Sequence, residues 1–291
     1  MRIFANDLRI PEAPVLLPDG SWLFTEMGAV RGCTTHISSD GKSRRIVAKT
    51  GRPSGLTLDR DGFIWVAETV MRALLKMSLD GRYEVFADSC NGERFILLND
   101  LAFAPNGDLY LTDSGIELEE FAPGGKIDPN YKDKKYDGRV YRIDIKTGNV
   151  ELVDHGLRFA NGLAFGPDNN LYVAETLTGT IYRYKYMDGK VTGNREVFCN
   201  VLDTSGPEGM KGPDGFKFGM NGHLFAAVFG QGSIAEIDKD GKVVRRIKTE
   251  GIRPSNLAFG KPGERKIYVT EDETGTIQVF DVDTDGFPLF E

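Results

Sequence analysis

Short apolar bursts recur along this chain, each pair split by a polar turn. The clearest copy runs from Phe159 to Thr176. A small-residue turn, Ala160-Asn161-Gly162, leads into Leu163-Ala164-Phe165. A polar turn around Asp168-Asn169 follows, and then Leu171-Tyr172-Val173-Ala174. The flanks are β-branched or aromatic, which suits strands. The turns carry Asp-Gly, Asn-Gly or close substitutes, residues that tolerate positive φ. The pattern occurs six times. Its turn residues, Gly20, Gly62, Gly107, Asn169, Gly222 and Gly263, are 42, 45, 62, 53 and 41 positions apart. The mean of about 48 residues per copy matches a propeller blade. No long stretch has a helical apolar period. The pattern therefore predicts an all-β fold, a six-bladed β-propeller, as a single domain over 1–291.

The same register exposes a column. Eight positions before each turn residue stand Glu12, Ser54, Asn99, Asn161, Asp214 and Ser255. All are polar, and each precedes an apolar strand. In a propeller the innermost strands start at one end of the axial channel, so these residues form a ring at that mouth. Turn formation alone explains Ser, Asn or Asp there, but not Glu12. Two carboxylates converging with amides and hydroxyls repel unless a cation sits between them. Oxygen donors favour Ca²⁺, Mg²⁺ or Mn²⁺, although Zn²⁺ also accepts carboxylates. A divalent metal site in the axial channel is the expectation.

Two parts of the chain depart from the repeat. Residues 114–138 are the largest insertion and account for most of the 62-residue interval. Such an insertion is either a lid over the channel mouth or a solvated loop. The Gly/Pro segment Thr204–Pro213 leads into Asp214, and its glycines permit close backbone approach to a ligand. At the chain ends, Ile3-Phe4 is expected to pair with Thr276–Phe280, closing the ring and hiding an edge.

Composition narrows the function classes. Net charge is −7, which argues against nucleic acid as a partner. No apolar run approaches a membrane span, and the N-terminus lacks a signal core, so no membrane partner is expected. Three cysteines, Cys33, Cys90 and Cys199, are too widely spaced for a disulfide framework. These features point to the cytoplasm. The three histidines, His36, His155 and His223, lie outside the ring column. No Ser occupies a Gly-x-Ser-x-Gly elbow, so a nucleophilic triad is not indicated. Glu26, Glu68, Asp113 and Glu175 recur at second-strand ends, as a repeat feature needing no catalytic reason.

Four motifs carry a resemblance: Glu12-Ala13-Pro14, Asn99-Asp100, Asn161-Gly162 and Pro213-Asp214-Gly215. In that order and register they resemble the gluconolactonase, regucalcin (senescence marker protein) and luciferin-regenerating-enzyme family. The resemblance spans nearly the whole chain. It implies a divalent metal, Ca²⁺ foremost, on Glu12, Asn161 and Asp214, with Asn99 near metal-bound water or substrate. Two positions depart from the family. Ala13 replaces the usual Gly. Leu97 stands where gluconolactonase and regucalcin carry an Arg that grips sugar hydroxyls. With Leu98, Phe159 and Phe229, this suggests a less polar pocket.

The implied reaction is metal-dependent lactone hydrolysis of a small molecule by activated water. Asp214 is the candidate base and Asp100 a weaker one. Asn99, Asp100, Ser54 and Ser255 are the candidate substrate contacts. The alternatives are a metal-dependent esterase or phosphoesterase, and a non-catalytic calcium-binding or scaffold propeller.

Overall fold

A computed structural model describes residues 1–290. Twenty-four strands make six four-stranded antiparallel sheets, the six blades. Blade 1 comprises Pro11–Leu16, Trp22–Glu26, Cys33–Ile37 and Arg44–Lys49. Blade 2 comprises Pro53–Leu58, Ile64–Glu68, Ala73–Met77 and Tyr83–Ala87. The innermost strands of blades 3 to 6 are Leu98–Phe103, Ala160–Phe165, Gly212–Phe218 and Pro254–Phe259. Each innermost strand packs against those of the two neighbouring blades, and the last meets the first.

All six turn residues that set the register have positive φ, from 61° at Asn169 to 88° at Gly263. Asp-Gly and Asn-Gly dipeptides tolerate that conformation. Burial falls from axis to rim. The second strands, such as Ile64–Glu68, are buried on both faces, whereas the outer Arg44–Lys49 is mostly exposed. Six apolar clusters hold the blades together, one at each blade interface. Leu23, Val66 and Leu75, for example, join blades 1 and 2.

The ends close the ring as the sequence suggests. Arg2–Ala5 is the outermost strand of blade 6, with Arg2 opposite Val279 and Ile3 opposite Gln278. No helix among the described residues is long and apolar enough to cross a membrane. All three cysteines are free and buried.

Candidate active site at the channel mouth

The innermost strands begin at one end of the channel, and their second or third residues form the counted ring. Glycines let them converge. A Cβ on Gly162 would stand 2.2 Å from the Asp214 carbonyl oxygen, and one on Gly215 would stand 2.0 Å from Asn256 Cγ. No side chain fits between these strands. Threonine hydroxyls then tie blade to blade: Thr25 donates to the Ser54 carbonyl at 2.7 Å and Thr112 to that of Asn161 at 2.6 Å.

A cavity of about 540 Å³ opens at this mouth. Glu12, Ser54, Asn99, Asn161 and Asp214 line its floor. Leu97, Leu98, Phe159 and Phe229 also face it. Part of the 114–138 insertion also lines the cavity. Its short helix Leu118–Phe121 and the following residues bring Leu118, Phe121, Ala122 and Ile127 to the cavity. Phe121 packs at a tilt against Phe159 with centroids 4.7 Å apart. Met210, from the Gly/Pro segment, completes that wall.

The floor is held tightly. Glu12 Oε2 accepts the Ala13 N–H at 2.8 Å, and Oε1 accepts from Asn256 Nδ2 at 3.2 Å. Burial, and then the charge of Asp100, pushes the Glu12 carboxyl up to about 7. The Asp214 carboxyl is raised well above its ordinary range by burial, then by Glu12, Asp272 and Asp100. Asn161 donates from Nδ2 to Thr176 Oγ1 at 3.0 Å, which fixes the amide. Its Oδ1 is enclosed without a hydrogen-bond partner. Asn99 is held likewise, donating from Nδ2 to Ser114 Oγ at 3.1 Å.

An orphaned amide oxygen beside two mutually repelling carboxylates is a donor set that a hard cation would satisfy. Among the described residues, no three His, Cys, Asp or Glu side chains gather to hold a metal by themselves. Any metal here would depend on the Asn161 amide as well as Glu12 and Asp214.

Asp100 and Ser255 stand apart from the other expected contacts, since neither is among the residues lining the cavity. Asp100 follows Asn99 at a register shift in the Leu98–Phe103 strand, and its charge reaches both Glu12 and Asp214. It is buried, with Oδ1 accepting the Leu101 N–H at 2.9 Å. Ser255 Oγ lies 3.0 Å from Glu12 Oε2 and 2.9 Å from the Pro11 carbonyl. Ser255 thus bonds Glu12 directly, and Asp100 acts on it by charge from outside the cavity lining.

The histidines are engaged elsewhere: His36 with Ser21, His155 with Asp137, His223 with Glu236. The recurrent strand-end carboxylates accept backbone N–H groups from the segments entering the ring. Asp113 takes those of Ile96, Leu97 and Gly115, and Glu175 that of Arg158. Glu271 belongs to the same set and takes that of Arg253 at 2.7 Å. Among the cavity residues that sequence reading missed are the charged Arg52, Arg253 and Asp272. The two arginines could have been found by counting back two more positions from the ring. Asp272, one past a strand end, has counterparts in Met27, Thr69, Ser114, Thr176 and Phe229, none of them acidic.

Residues 10–273 match the family model described as SMP-30/Gluconolactonase/LRE-like region. The chain belongs to this family. Its relatives include the gluconolactonase of Zymomonas mobilis, 28% identical over 282 residues, covering 91% of this chain and 77% of that protein. The pentonolactonase XacC of Haloferax volcanii is 34% identical over 276 residues, covering 92% and 84%. In structure, the chain is similar to a calcium-binding regucalcin from Agrobacterium tumefaciens, with a TM-score of 0.77, 19% identity, and coverage of 100% and 98%. That likeness shows the propeller alone. One side of this chain's mouth is a wall of Leu97, Phe159 and Phe121.

Proposed function

We propose that this SMP-30/gluconolactonase-like propeller is a metal-dependent lactone hydrolase, with its active site at the channel mouth. The observation that carries the reading is the floor: Asn161 Oδ1 enclosed without a partner beside the Glu12 and Asp214 carboxyls. The lactonase names of the two relatives support the substrate class.

Glu12, Asn161 and Asp214 would hold a divalent cation, Ca²⁺ foremost. Bound there, it supplies Lewis-acid polarisation of a carbonyl and a more acidic water. The chain's own groups do the rest. Asp214, a buried carboxylate on the cavity floor, takes a proton from the attacking water. The water oxygen bonds to the carbonyl carbon, the ring C–O bond breaks, and the ring oxygen leaves as a hydroxyl with the proton that Asp214 returns to it. The product is the open hydroxy acid. Asn99, with its nitrogen tied to Ser114, orients the substrate. Ser54 lies on the same floor. The Leu97, Phe121 and Phe159 wall keeps bulk water from the apolar side.

The test is hydrolysis of sugar, aliphatic and aromatic lactones by chelator-treated protein, with Ca²⁺, Mg²⁺, Mn²⁺ or Zn²⁺ restored in turn. Metal-restored turnover of a lactone is expected. Tight metal binding without lactone turnover would overturn the reading.

A further inference from the structure

The mouth carries a second ring, two residues before the first: Ile10, Arg52, Leu97, Phe159, Gly212 and Arg253. All but Gly212 line the cavity. This outer ring is lopsided. Leu97 and Phe159, on blades 3 and 4, lie against apolar residues of the insertion, where Lys126 is exposed at the rim. Arg52 and Arg253, on blades 2 and 6, flank Ile10 of blade 1. In a six-bladed ring, blade 1 faces blade 4. The two guanidiniums therefore stand across the mouth from Phe159.

Their backbones are fixed and their side chains are left over. The Arg52 N–H is bound by the Glu68 carboxylate and the Arg253 N–H by that of Glu271. Those carboxylates hold the chain and do not ion-pair the guanidiniums. Neither guanidinium is in a salt bridge among the described residues. Arg52 uses Nη1 on the Met27 carbonyl at 3.1 Å, and Arg253 lies 6.0 Å from the Phe229 ring centroid. Each keeps donors of its planar fork for another partner. One carboxylate, Asp272, lies within charge reach of both, and its Oδ1 is enclosed without a hydrogen-bond partner. Glu68 also reaches Arg52 by charge, but its oxygens are spent on the Arg52 and Met71 N–H groups, so the basic groups this wall offers a ligand are the two guanidiniums. Arg52 is partly buried and Arg253 exposed; a guanidinium with spare donors suits a carboxylate, because the fork matches carboxylate geometry.

We propose that Arg52 and Arg253 make this enzyme selective for lactones bearing a free carboxylate at one end and an apolar substituent at the other. The carboxylate meets the guanidiniums, the apolar substituent lies against Leu97, Phe121 and Phe159, and the lactone carbonyl is centred over the Glu12–Asn161–Asp214 floor. This rests on the lactone hydrolase reading above.

The experiment uses a γ-lactone with an alkyl chain and a carboxymethyl group, its carboxamide, and the carbocyclic analogues of both, in which methylene replaces the ring oxygen. The acid should exceed the amide in kcat/KM by about tenfold or more, chiefly through KM. In Arg52→Gln and Arg253→Gln the acid-to-amide ratio should fall toward one, and Arg52→Lys should restore part of it. Circular dichroism checks that each variant is folded. Equal treatment of acid and amide by the wild-type protein would overturn the proposal, as would an unchanged ratio in both folded variants. Calorimetric binding of the carbocyclic pair separates recognition from reaction. Acid-selective binding lost in the Arg variants, without turnover of any lactone, would uphold the basic wall and overturn the hydrolase reading. Equal binding of both analogues would overturn the basic wall.

Discussion

At the scale of the residue, the floor is a balance of buried carboxyls. Asp214→Ala should cut lactone turnover at least ~10²-fold, the loss expected for a positioned base. It also removes one of several repelling acids, so thermal unfolding of the variant should show no loss of stability. Near wild-type turnover in that variant would remove Asp214 from the mechanism. The pH dependence follows from Glu12, whose carboxyl is pushed up from 4.5 to about 7. The folded state then binds the proton more tightly than the unfolded chain. That contribution to stability is fully present below pH 4.5 and is lost as the pH rises to about 7. In chelator-treated protein the Tm should fall across that window, and Glu12→Gln should flatten the slope. The slope staying unchanged in that variant would mean that Glu12 is not the titrating group. These floor positions were legible in the sequence because a repeat places the same step of every blade at the same mouth. The place of Asp100, outside the cavity lining but within charge reach of Glu12, was not legible, because a register shift between Leu98 and Leu101 breaks the strand's simple alternation.

At the scale of the element, each inner strand enters the ring under a carboxylate clamp, except in blade 5, where Val228 occupies the equivalent strand end. Asp113 is the fullest clamp, buried and accepting three backbone N–H groups at 2.7–2.9 Å. Asp113→Ala would leave those donors enclosed without acceptors. Stability should fall by about 3 kcal/mol or more, read by denaturant unfolding. Because Leu97 and Asn99 follow directly from the clamped segment, KM should rise as well. A change below ~1 kcal/mol would show that water satisfies these groups. The sequence made the recurrence of strand-end acids visible but not their task, since accepting a backbone N–H leaves no mark on composition. The insertion posed the reverse problem. Its length marked it as a departure, while its approach to the mouth depended on Phe121 meeting Phe159, a contact between blade 3 and blade 4 that no local pattern encodes.

At the scale of the whole molecule, the ring is closed by residues from both ends of the chain. Arg2–Ala5 pairs with Thr276–Asp281, and Phe4 packs edge-on against Tyr268 at 5.2 Å and Trp22 at 6.2 Å, so one ring bridges blades 6 and 1. Leu8 is buried, with its N–H donating to Gly275 O at 3.0 Å, while Arg44 of blade 1 reaches back to Asn6 O at 2.9 Å. Deleting residues 1–9 removes a strand, uncovers the edge of Thr276–Asp281 and exposes apolar surface on two blades at once. Burial of Leu8 and Phe4 alone is worth roughly 3 kcal/mol or more, a drop of about 6–12 °C in Tm at this size. The loss should extend to the active site, because Glu12 lies only a few residues beyond the deleted segment and its blade leans on blade 6 through Ser255 and Asn256. The truncated protein should therefore lose Tm and turnover together, and its bare strand edge should promote self-association on a sizing column. Full Tm with full activity would mean that the six blades close on inter-blade packing alone.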